Sequence, residues 1–125
     1  MKKLILALML SVALLSAQGQ TVHSATLSWT ASPDAAANPT GNYNIYRATG
    51  NCADTTIVFT KVGTATSTAT TFTDSTVAAA TTYCYEVTFV ANGLESIDSN
   101  LAQAVIPQNP TAPRPPTTLF VSAVK

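Results

Sequence analysis

Thr82-Tyr83-Cys84-Tyr85-Glu86-Val87-Thr88-Phe89-Val90, followed by Ala91-Asn92-Gly93, is the stretch on which the fold turns. Tyr83, Tyr85, Val87 and Phe89 share one face of an extended chain while Cys84, Glu86 and Thr88 share the other, a period of two that no helix satisfies. Asn92-Gly93 then supplies the positive backbone angles of a tight hairpin, which predicts a returning strand over Ile97 to Ile106. Outward from this centre the same period recurs. Thr71 to Asp74 alternates, Ile57 to Val62 reads as extended until Gly63 stops it, and Tyr43 to Arg47 forms another strand. Nearest the N-terminus, Ala25, Leu27 and Trp29 alternate with Thr26 and Ser28. Between these runs lie turn-rich segments: Ser32-Pro33-Asp34, Asn38-Pro39-Thr40-Gly41 and Gly50-Asn51-Cys52. Six strands without a convincing helix predict a small antiparallel all-β domain.

A chain of 125 residues accommodates one domain of ordinary size. Six basic and six acidic residues leave neither the cationic footprint that nucleic acid requires nor an acidic solvating tail, so no nucleic-acid partner is expected. With 21 threonines and 20 alanines against one histidine and one tryptophan, the chain is rich in small β-tolerant residues and short of catalytic ones.

Lys2 and Lys3 precede the apolar run Leu4 to Leu15, whose length is about half that of a membrane span, and Ser16, Ala17 and Gly19 follow as small residues. Residues 1–19 read as a secretory signal peptide cleaved after Gly19, with cleavage after Ala17 as the alternative. No cysteine sits at this junction to carry a lipid. The mature chain would keep 4 basic and 6 acidic residues, since Lys2 and Lys3 are removed, for a net charge of −2. It should contain no membrane span and reside outside the cell, at the surface, or in the periplasm. In an exported chain Cys52 and Cys84 can pair in one intramolecular way, and neither lies in a CxxC motif or near His23, so a disulfide is favoured over a reactive thiol. Closing a loop of about 33 residues is worth ~3–4 kcal/mol in the chain-entropy account.

Five of the seven prolines fall between Pro107 and Pro116, marking residues 108–116 as an extended, semi-rigid linker. Beyond it, residues 117–125 turn β-like again, with Leu119, Phe120, Val121 and Val124 apolar and no glycine or proline among them.

These residues together resemble the fibronectin type III family in its bacterial secreted form, over residues 22–107. Ala25-Thr26-Leu27-Ser28-Trp29-Thr30 is similar to the family's second strand with its core tryptophan, and Gly41-Asn42-Tyr43-Asn44-Ile45-Tyr46-Arg47 to its third. Phe72-Thr73-Asp74, Val77 and Thr81-Thr82-Tyr83 resemble the approach to the tyrosine corner, which implies that the Tyr83 hydroxyl bonds backbone upstream. Asn92-Gly93-Leu94-Glu95-Ser96 and Ser99-Asn100 extend the similarity. The resemblance implies an immunoglobulin-like β-sandwich over residues 20–107. It also exposes a departure, because only Gln20 to Ser24 precede the Trp29 strand, too few for the family's first strand and its turn. Pro115-Pro116-Thr117-Thr118-Leu119-Phe120-Val121-Ser122-Ala123-Val124 looks like that missing segment, placed last.

Catalytic and metal sites are not expected, nor is any cofactor. His23 has no second histidine, and no Gly-x-Ser-x-Gly elbow occurs. Asp74, Glu86, Glu95 and Asp98 are dispersed, unlike a calcium loop, and read as solvated surface. Asn38 and Asn109 are each followed by proline, outside the glycosylation pattern, and no Arg-Gly-Asp is present. Tyr46, on the face opposite Tyr43 and Ile45, is the strand aromatic expected at the surface. The expectation is a non-enzymatic structural subunit whose C-terminal strand, with Leu119, Val121 and Val124 as fillers and Phe120 at a subunit junction, docks on the Ala25, Leu27, Trp29 edge of the next copy. The alternatives are a permuted monomer that receives its own tail, a stub of a tandem array, and a monomeric module binding a surface or carbohydrate.

Overall fold

The computed structural model describes residues 21–124, so the signal peptide expected over residues 1–19, together with Gln20 and Lys125, lies outside the described residues. Seven strands form: β1 (Ala25–Ser28), β2 (Asn42–Thr49), β3 (Thr60–Thr66), β4 (Thr71–Asp74), β5 (Thr82–Ala91), β6 (Leu94–Glu95) and β7 (Ala102–Val105). They make two sheets. One holds β1 and β4 alone, and the other runs β3-β2-β5-β6, with β7 also paired to β5. All pairings are antiparallel.

The alternation along β2 and β5 decides which faces meet. Tyr43 pairs with Phe89, Ile45 with Val87 and Arg47 with Tyr85, so their inward side chains are neighbours. Tyr43, Ile45, Tyr83, Tyr85 and Phe89 form the core with Val77, Ile106 and Ala35, while Leu27, Trp29 and Phe72 pack on it from the first sheet. An aromatic row, Trp29 to Tyr43 at 5.1 Å and Tyr43 to Phe89 at 4.9 Å between ring centroids, ties the two sheets at one end. Cys52 and Cys84 are joined in a disulfide that fastens the loop after β2 onto the outer face of β5.

Two strand boundaries differ from the sequence reading. The third strand starts at Thr60 and continues through Gly63 to Thr66. Gly63 does not end it, because the Phe72 ring from the other sheet rests against its backbone and leaves no room for a Cβ. The pairing also shifts between Ile45 and Tyr46, which lets Val62 be passed over. The single returning strand predicted over Ile97 to Ile106 is instead two short ones, β6 and β7, lying end to end on the same edge of β5. Between them the Ser96 and Ser99 N–H groups still donate to the Phe89 and Val87 carbonyls, at 2.9 and 3.0 Å, while their hydroxyls stand in for the reciprocal carbonyls and accept from the N–H groups of Phe89 and Val87, both at 2.9 Å. Ile97 consequently points to solvent. The hairpin at Asn92 and Gly93 has φ of 53° and 77°, the two positive angles of a tight two-residue turn.

Residues 107–124 form no strand. Leu119, Phe120, Val121 and Val124 are exposed, Leu119 at 96%.

Candidate functional site

Among the described residues β1 pairs only with β4, which leaves its other side as a sheet edge. The hydrogen-bond phase along that edge follows from one contact, the Trp29 N–H donating to the Thr70 carbonyl at 2.9 Å. In an antiparallel pair bonded positions alternate, so Ala25, Leu27 and Trp29 direct their main-chain groups to β4. Thr26 and Ser28 therefore turn theirs to the open side.

Beneath this edge runs a groove of about 810 Å³. Ala25, Leu27 and Trp29 form one wall, and Tyr85, Val87, Ala102 and Ala104 form the floor and far wall. A second hollow of about 180 Å³ shares Trp29, Thr30, Val87 and Ser99 with it and extends it past Trp29 toward Tyr43, Phe89 and Ile97. Trp29, expected buried, is only half-buried, because nothing among the described residues closes its outer side. Its Nε1–H is the one enclosed side-chain polar atom without a partner among the described residues.

The tail leaves the domain at one end of this groove. The Ile106 N–H donates to Thr81 at 2.8 Å, the Pro107 carbonyl accepts from Ala80 at 3.1 Å, and Asn109 Oδ1 lies 2.8 Å from His23 Nε2. His23 stands two residues before the start of β1, so the linker is anchored beside the N-terminal end of that strand. No group of three or more His, Cys, Asp or Glu side chains able to hold a metal occurs among the described residues.

Two carboxylates read from the sequence as solvated are not free. Asp74 is buried between the sheets, where it accepts from Arg47 at 2.7 Å and Tyr85 at 2.9 Å. Thr76 adds its N–H at 2.9 Å and its hydroxyl at 2.6 Å, and the Arg47 guanidinium lies 4.6 Å from the Tyr83 ring centroid. Burial pushes the Asp74 carboxyl up, but the bonds from Thr76, Tyr85 and Arg47 outweigh it and hold the group below its ordinary range. Burial and the Asp74 carboxylate push the Tyr85 hydroxyl well above its own. Glu95 is at the surface, yet one oxygen accepts from Thr88 at 2.5 Å, Tyr46 at 2.6 Å and Asn44 at 3.0 Å, drawing its pKa down to about 2. Tyr46 is thus partly covered, and its hydroxyl is committed to Glu95 instead of standing free for a ligand. The Tyr83 hydroxyl accepts from the Ala78 N–H at 3.1 Å, five residues upstream.

No known family description matches the sequence, and no curated protein does. The architecture has solved counterparts. The third fibronectin III domain of human KIAA0343 protein is similar with a TM-score of 0.55 at 16% identity, covering 74% of this chain and 77% of that one. A fibronectin type III domain derived from human KIAA0970 protein gives a TM-score of 0.55 at 14% identity, covering 84% of this chain and 80% of that one. The fold is a fibronectin type III β-sandwich.

Proposed function

We propose that this chain is a secreted structural subunit that polymerises head to tail, residues 117–125 of one copy completing the β1 edge of the next. The observation that carries this reading is the pairing of two incomplete parts in one chain: an open edge over a groove walled by Ala25, Leu27, Trp29, Val87, Ala102 and Ala104, and an exposed apolar tail outside it. Strand addition to a bare edge is a general recognition mode, and a contact that does not close on itself propagates. The signal-like N-terminus and the disulfide support a place outside the cytoplasm. Among the described residues the groove brings together apolar and hydroxyl side chains with Glu86, Asn100 and Gln103, and no histidine or cysteine lines it to work with that carboxylate.

In the antiparallel sense the chain's own tail is a poor occupant of the groove. It departs beside His23, and a strand running antiparallel to β1 must begin at the Trp29 end. Residues 110–117 would have to travel the groove's length outside it and then reverse, with four prolines and no glycine among them. A neighbouring copy meets no such reversal.

Electron microscopy and light scattering of the full chain, a chain ending at Pro116 and a Val121→Asp variant test the reading. The full chain should elongate with concentration while the other two stay single and folded. A full chain that remains monomeric at high concentration, with Val121→Asp merely unfolding it, would assign the tail to its own domain.

A further inference from the structure

We infer the register and polarity of the inserted strand: it runs antiparallel to β1, with Val121 opposite Leu27, Leu119 opposite Trp29 and Ala123 opposite Ala25. This deepens the proposed assembly and rests on it.

Polarity follows from occupancy of the two groove ends. A parallel strand would come in beside His23, where the acceptor's own linker is already held through Asn109 and Pro107. An antiparallel strand comes in past Thr30, at the free end. All subunits then point the same way, and each keeps its own linker clear of the incoming one.

Register follows from parity. Residues directly opposed in an antiparallel pair point to the same face. Ala25, Leu27 and Trp29 face the core, while Thr26 and Ser28 face outward. Alternation sorts the tail into Leu119, Val121 and Ala123 on one face and Phe120, Ser122 and Val124 on the other, so Val124 cannot fill the groove together with Leu119 and Val121 as the sequence reading supposed. The inward positions must be Leu119, Val121 and Ala123. Three alignments keep them inward near β1. With Leu119 opposite Leu27, Ala123 reaches His23 and Trp29 faces Thr117. With Val121 opposite Trp29, Leu119 overruns to Ala31 and Ala25 faces Lys125. Only with Val121 opposite Leu27 do all three apolar side chains meet the three inward residues of the wall. That alignment sets Phe120 against Ser28 and Ser122 against Thr26, the two positions whose main-chain groups face the open side.

Mixtures of single-cysteine variants of the full chain test this, because the native cysteines are already paired. One partner carries Thr26→Cys or Ser28→Cys, the other Phe120→Cys, Ser122→Cys or Val124→Cys, and cross-linking is read on non-reducing gels after mild oxidation. Thr26→Cys with Ser122→Cys, and Ser28→Cys with Phe120→Cys, should each exceed the other pairings by ~10-fold, since opposed residues fall within disulfide reach and diagonal ones do not. Dominance of Thr26→Cys with Phe120→Cys together with Ser28→Cys with Ser122→Cys would make the strand parallel. Dominance of Thr26→Cys with Val124→Cys would shift it by two. Either result, with polymers intact by light scattering, overturns this register and leaves the assembly standing. Absence of polymers and of every cross-link overturns both.

Discussion

The two sheets are finished to different degrees. Along β5 every interruption is repaired: where the ladder lapses between β6 and β7, Ser96 and Ser99 bring hydroxyls to the N–H groups of Phe89 and Val87. Along β1 no comparable repair exists, and Thr26 and Ser28 face an open groove with half-buried Trp29 beneath them. Exposed edges are usually blunted by charge, proline or a bulge. β1 has none of these among Ala25, Thr26, Leu27 and Ser28, and the contrast within one small domain is what the proposed acceptor role of that edge rests on.

Breaking the join between the two sheets should cost most. Asp74→Ala leaves Arg47 facing the interior without its carboxylate and removes the acceptor of Tyr85, for a loss of about 3–5 kcal/mol in denaturant unfolding. The same group predicts acid sensitivity. Its folded pKa is depressed, so the stability it lends is complete above about pH 4 and declines as the pH falls through the folded value. Unfolding midpoints between pH 2 and pH 6 should show this decline, and Asp74→Asn should flatten it. Next in size, Cys52→Ser with Cys84→Ser should lower stability by about 2–4 kcal/mol.

The unfinished side predicts the reverse pattern, with small effects on the monomer and large ones on assembly. Val121→Asp should change the unfolding free energy of dilute protein by less than about 0.5 kcal/mol, because Val121 is exposed there, while abolishing the concentration dependence of light scattering. A comparable loss of monomer stability would mean that the tail already sits in its own groove. Smaller than the Asp74 and disulfide losses is a gain at Ala80, which has a φ of 55°, so Ala80→Gly should add about 0.4–1 kcal/mol.

Much of this was legible in the sequence. The alternation of Tyr83, Tyr85, Val87 and Phe89 and the Asn92-Gly93 turn are local signals, and the structure follows them. Gly63 misled because its reason is tertiary: a ring from the other sheet needs the space. Asp74 misled for the same reason, although a trace of it was present. Arg47 shares the inward parity of Tyr43 and Ile45, and a cation on a core face requires a carboxylate, which only Asp74 on β4 can bring. The break between β6 and β7 was invisible because serine hydroxyls substituting for a ladder leave no periodicity. The groove was legible only through the expected cleavage after Gly19, which leaves few residues before β1, and its extent past Trp29 depends on where residues 96–101 leave the sheet.

Amide hydrogen exchange at Thr26 and Ser28 tests the central claim most directly. In the chain ending at Pro116, and in dilute full-length protein, both N–H groups should exchange freely while Leu27, bonded to β4, stays protected. Raising the concentration of the full chain should protect Thr26 and Ser28 as strands insert between copies. Protection that is already complete at high dilution, or exchange that stays fast at every concentration, would contradict it.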